Sequence, residues 1–185
     1  MILDNLLTFT GTSNGTVGAP ASGPQTDSPT TGAQFSTNVV DLGLIGIPSF
    51  ANGGGARDIG VGDDPAMKLS ALVTTAFAGG TSLQLSLQGA PDNGSGAPGS
   101  YTTMWTSPVV ALASLVAGAQ LANIDMPRPV LGQPLPRFLR IAYTIVGTFT
   151  GGGSVEIQLV IDRDDQILGP AGQYSGYVAG INVAN

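Results

Sequence analysis

Three stretches of this sequence alternate apolar and polar residues with a period of two. Leu83, Leu85 and Leu87 are spaced by Gln84 and Ser86 and followed by Gln88. Leu139, Ile141, Tyr143 and Ile145 alternate with Arg140, Ala142 and Thr144, and Val155, Ile157, Leu159 and Ile161 with residues that include Glu156 and Gln158. Successive side chains of an extended chain point to opposite faces, so this period buries one face and leaves the other at a surface. Shorter runs agree with it. Val39, Val40 and Leu42 stop at Gly43, and Lys68 to Phe77 and Tyr101 to Thr106 read as strands. Val109 to Met126 is rich in Ala and Leu, which favour helix. The Val109-Val110 pair and the break at Gly118 favour two short strands and a turn, and strands are the expectation.

Glycine and proline punctuate the strands. Gly79-Gly80 and Gly151-Gly152-Gly153 read as hairpin turns. Residues 89–100 read as a loop, and Pro127, Pro129, Pro134 and Pro136 as an irregular connector. About eight strands, turn-rich connections and no convincing helix predict an all-β antiparallel sandwich or barrel. Residues 11–34 are dominated by Gly, Pro, Ser and Thr and have too little apolar surface to offset their own ordering. The expected division is an N-terminal segment and arm at 1–35, a β-sandwich core at 36–162 and a tail at 163–185.

Composition narrows the function. There is no histidine and no cysteine, which removes Ser-His-Asp and Cys-His catalysis and most zinc or iron sites. The formal net charge is −6, and the cations Arg57, Lys68, Arg128, Arg137, Arg140 and Arg163 are scattered. Nucleic acid, which needs clustered cations, is not an expected partner. Arg137 and Arg140 read as strand-edge charges paired to local carboxylates. No apolar stretch approaches the ~20 residues of a membrane span, and no signal peptide is evident. Charged residues make up only 10% of the chain, against about 25% in an average globular protein. Such a surface suits a chain that meets a large partner.

Isolated motifs carry little. Gly11-Thr12-Ser13-Asn14-Gly15 spells a nucleophile elbow but sits in the Gly/Ser-rich arm of a chain without a base for Ser13. Asp162-Arg163-Asp164-Asp165 fails the EF-hand register, with Ile167 and Gln173 at key positions, and reads as an acidic turn. Asp63-Asp64 before Pro65 is turn chemistry. Asn14-Gly15-Thr16 and Asn93-Gly94-Ser95 match the glycosylation triplet without a secretion signal. Glu156 stands alone on a polar strand face, without a partner acid for glycoside hydrolysis. Trp105, Tyr101 and Tyr143 would suit a sugar-stacking platform, although a strand tryptophan more often belongs to the core. No catalytic residue, cofactor or metal site is expected, and the chain does not read as an enzyme.

An ordered set of short segments resembles the small jelly-roll cement (decoration) proteins of tailed bacteriophage capsids. These are Met1-Ile2-Leu3-Asp4, Ser36 to Gly43, Gly79 to Leu83 leading into Leu83 to Gln88, Ala111 to Ala119, Met126-Pro127, Arg137 to Tyr143 and Gly147 to Gly151. The long arm at 11–35, insertions near 44–57 and 91–100 and the tail after 162 depart from that pattern. The resemblance implies a jelly-roll β-sandwich bound to the major capsid protein on the outer capsid face, at joints between capsomers. It would stabilise the shell against internal DNA pressure after synthesis in the host cytoplasm. The resemblance carries no catalytic residues to transfer; the chain is expected to act as a homo-oligomer, with a dimer preferred over a trimer. The arm and tail would then make much of the intersubunit contact, with Val17, Phe35, Tyr174, Tyr177 and Ile181 as candidate interface residues. The alternative is a carbohydrate-binding module of a phage fibre or host-recognition protein, using Trp105 and the nearby tyrosines.

Overall fold

The three alternating segments all become strands, and apolar residues from each meet in one core. The computed structural model describes residues 2–11, 26–43, 67–127 and 135–161. The strands are β1 (Ile2–Thr8), β2 (Thr31–Phe35), β3 (Val40–Asp41), β4 (Met67–Thr75), β5 (Ala78–Gly79), β6 (Ser82–Ala90), β7 (Thr102–Thr106), β8 (Val110–Ala111), β9 (Gln120–Asp125), β10 (Phe138–Gly151) and β11 (Ser154–Ile161). Leu112–Ser114 forms a single 3-10 turn. The Ala/Leu-rich segment is therefore two short strands and a turn, as its Val-Val pair and Gly118 predicted.

Two antiparallel sheets stack face to face. One has the order β1-β11-β4-β9; the other runs β2-β10-β6-β7, with β3 and β5 also on β10 and β8 on β6. Leaving aside the two-residue strands β3, β5 and β8, the pairing is nested. The first long strand pairs the last (β1 with β11), the second the next to last (β2 with β10), then β4 pairs β9 and β6 pairs β7. That nesting is a long hairpin wrapped on itself, the jelly-roll arrangement. The fold is an all-β antiparallel β-sandwich of jelly-roll type.

The core lies between the sheets. Leu69, Ala71 and Val73 of β4 and Val155, Ile157 and Leu159 of β11 face Leu83, Leu85 and Leu87 of β6 and Leu139, Ile141, Tyr143 and Ile145 of β10. Burying one such Leu or Ile side chain contributes about 1.5–3 kcal/mol. Phe77 and Phe149 close one end, with ring centroids 4.7 Å apart.

Two expectations change. The glycine clusters do not close hairpins. β4 and β6 lie in different sheets, as do β10 and β11, so Gly79-Gly80 and Gly151-Gly152-Gly153 carry the chain across the sandwich. Local turn chemistry is the same for both outcomes and does not specify where the next strand pairs. The sandwich also begins before residue 36. β1 and β2 are members of the two sheets, and Asp27 bridges Val155. Residues 12–25 of the arm, 44–66, 128–134 and the tail from 162 lie outside the described residues.

Candidate functional site

The outer face of the larger sheet differs in chemistry from that of the smaller one. Residues directly opposite in an antiparallel ladder share a face. One row across the larger sheet is Phe35, Ala142, Ser86 and Thr106; the next is Ala33, Thr144 and Gln84; a third is Val146, Ser82 and Ala111. These residues are small, polar or apolar, and none is charged. On the smaller sheet, Lys68 stands opposite Asp125, and Glu156 opposite Leu72.

Beside these uncharged rows the same face carries Arg140, and further along it Asp41 opposite Phe138. Arg140 on β10 stands opposite Gln88 and donates from Nε to Gln88 Oε1 at 2.9 Å. Its guanidinium carbon lies 3.6 Å from the centre of the Phe35 ring and 3.7 Å from that of Tyr101. The head group is thus clasped between two aromatic faces, an arrangement that desolvated cation–π attraction favours. Partial burial lowers the Arg140 pKa from its usual value, and Tyr101 opposes that shift. Burial likewise raises the Tyr101 hydroxyl, with Arg140 opposing. Arg140 forms no salt bridge among the described residues, so the expectation of a local carboxylate partner does not hold for it.

That expectation does hold for Arg137. Its Nε and Nη2 donate to the two oxygens of Asp41 at 2.9 and 3.0 Å, and its Nη1 to Asp92. The guanidinium also lies over the Phe138 ring. Asp41 is the largest cause of a raised Arg137 pKa. Asp92 in turn accepts from the backbone N–H groups of Gly94 at 2.7 Å and Gly96 at 3.0 Å. Those amides, Gly96 first, and then Arg137 hold its carboxyl below the usual range. Arg137 therefore ties the β6–β7 loop to β3 and β10. In the same loop Asn93 folds onto Ser95, accepting from its N–H at 2.9 Å and hydroxyl at 2.7 Å.

Beside the β2 edge, an open depression of about 430 Å³ is lined by Asp27, Ser28, Pro29, Gln34, Phe35, Thr37 and Tyr143. Phe35 is thus shared between the depression and the Arg140 clasp. Asp27 is only 7% exposed. Its oxygens accept from the Gly11 and Thr37 amides, each at 3.0 Å, the Thr37 hydroxyl at 2.5 Å and the Tyr143 hydroxyl at 2.9 Å. These donors commit the carboxylate to tying the N-terminal segment, the residues after β2 and β10 together. Burial, then the Asp27 charge, raises the Tyr143 pKa and keeps the phenol as a donor.

Phe35 is the one candidate interface residue that the structure describes. It is 52% exposed on the outer face of β2. Val17, Tyr174, Tyr177 and Ile181 lie outside the described residues, as do Ser13, Asp63-Asp64 and Asp162 to Asp165. The three rings considered for sugar stacking are dispersed among different tasks. Tyr143 is 1% exposed in the core, Trp105 packs against the core opposite Leu87, and Tyr101 covers Arg140. Glu156 is half-buried on β11. Sequence reasoning missed Asp27 and the Arg140 clasp. Asp27 lies in a Gly/Pro-rich stretch, and the clasp joins residues from separate strands.

The fold and this surface define a jelly-roll sandwich that offers uncharged rows of sheet residues beside the clasped Arg140. The Bbp16 family model matches residues 26–159, well over half of the chain, and the chain belongs to the Bbp16 family. No curated protein matches the sequence.

Proposed function

We propose that this protein is a non-catalytic cement (decoration) protein of a tailed-phage capsid. It binds the major capsid protein on the outer shell surface at joints between capsomers and resists the outward pressure of packed DNA. It acts as a homo-oligomer, preferably a dimer. The observation that carries this reading is the set of uncharged rows on the outer face of the larger sheet with Phe35 exposed among them. Apposing such a face to a partner desolvates few charges, and an exposed aromatic anchor is the usual energetic centre of an interface. The jelly-roll fold and the resemblance of the sequence to cement proteins support the same reading. A twice-layered sheet is a stiff body, suited to bridging subunits without deforming.

The test is co-sedimentation of the purified protein with capsids lacking it, followed by heating of the decorated shells. Saturable binding and a higher rupture temperature are expected. Glycan-array binding without capsid binding would replace this reading with the carbohydrate module.

A further inference from the structure

Arg140 is built to hold a cationic fork still without using it. Its Nε is occupied by Gln88, and both faces of the guanidinium are covered by Phe35 and Tyr101. Among the described residues the terminal Nη1 and Nη2 groups donate to no atom and Arg140 forms no ion pair. Arg137, three residues earlier on the adjoining stretch, has its N–H groups filled by Asp41 and Asp92. A guanidinium is planar and rigid, and its outer edge matches the two oxygens of a carboxylate. Clasping it between rings removes the rotamer freedom that a surface arginine would otherwise lose on binding. Gln88, directly across the sheet, is uncharged, and Asp41, on the same face opposite Phe138, is held by Arg137. The chain carries a formal net charge of −6, which opposes a densely charged phosphate polymer far more than a lone carboxylate on a protein surface.

We propose that Arg140, clasped between Phe35 and Tyr101 on the outer face of the larger sheet, is a docking site for an aspartate or glutamate side chain of the capsid surface that this face covers. The capsid as carrier of that acid rests on the cement reading. The carboxylate lies against the guanidinium edge, and Phe35 and Tyr101 shield the pair from water. Because the fork and its stacking both matter, lysine cannot replace arginine here.

Two measurements decide it. In the first, the side-chain N–H resonances of Arg140 in the isotope-labelled full chain are followed during titration with glutarate, against sodium chloride of equal ionic strength and inorganic phosphate. Glutarate should move the Arg140 signals beyond the chloride control, and absence of that movement overturns the site, whatever phosphate does. In the second, Arg140→Gln and Arg140→Lys are compared with the wild type in capsid co-sedimentation, after circular dichroism and thermal melts show intact folds. Both should bind about tenfold to a hundredfold more weakly. Wild-type affinity in both variants overturns the docking role while leaving the cement reading intact. Failure of the wild type itself to bind capsids overturns the cement reading, and the carboxylate site then stands or falls by the glutarate titration.

Discussion

Buried and half-buried polar groups in this chain act as ties between segments distant in sequence. Tyr143→Phe removes one donor from Asp27 and keeps the ring in the core, so it should destabilise the fold by about 1–3 kcal/mol in chemical denaturation. Asp27→Ala should cost more, because the Gly11 and Thr37 amides and the Tyr143 hydroxyl all lose their acceptor. Asp92 titrates differently from a free carboxyl. Its folded value is depressed, so its contribution is complete above the ordinary aspartate value near ~3.9 and is lost as pH falls through the lower folded value. Asp92→Asn should therefore melt below the wild type at neutral pH, with the gap closing in acid. A gap that is constant with pH would show that the carboxylate charge plays no part. The sequence disclosed Arg137 as a paired charge. Its partners Asp41 and Asp92 were not legible, since they lie 96 and 45 residues away in sequence.

At the level of elements, β10 organises the molecule. It pairs with β2, β3 and β6, and beyond a bulge between Ile145 and Thr148 its end pairs β5. Gly147 sits at that bend with φ +81, and a Cβ there would stand 2.9 Å from Gly80 Cα. Gly147→Ala should destabilise the protein by about 1–3 kcal/mol through the left-handed backbone alone, and more through the clash. Thermal melting of that variant beside Gly152→Ala separates the two effects, because Gly152 has positive φ and open space. The long strands were legible because one face of each is fully buried: Leu83, Leu85 and Leu87 or Leu139, Ile141 and Tyr143 print the period directly. β2 was not. It is an edge strand reading Thr-Gly-Ala-Gln-Phe, its large apolar residue points outward, and Gln34 is its most buried residue. Such a strand is held by backbone pairing with β10 and leaves almost no hydrophobic pattern to read.

For the molecule as a whole, the N-terminal strands are structural members of both sheets. Deleting residues 1–11 removes β1 and Phe9, which is fully buried, and exposes the edge of β11. That truncation should lose cooperative melting or fall sharply in melting temperature. A truncation that melts like the full chain would show that the smaller sheet stands without β1. Deleting 11–33 would remove Asp27 and most of β2 together with the arm, so it cannot probe the arm alone. The jelly-roll class was accessible from the sequence because strand spacing set an all-β sandwich and the segment resemblance supplied the topology. Sheet membership of each strand was not, since it depends on pairings between ends of the chain.

The nested pairing also sets a timetable for synthesis. β11 is the common neighbour of β1 and β4, so β1 has no ladder partner, and β4 pairs only β9, until residues 154–161 have left the ribosome. Folding that waits on such remote pairings is slow, typically milliseconds to seconds once the chain is free. A prematurely terminated chain lacking β11 leaves two strand edges open and a divided core, a state prone to aggregation and degradation. Closure of the sandwich thus acts as a proofreading step: only chains translated through β11 acquire a finished surface to present.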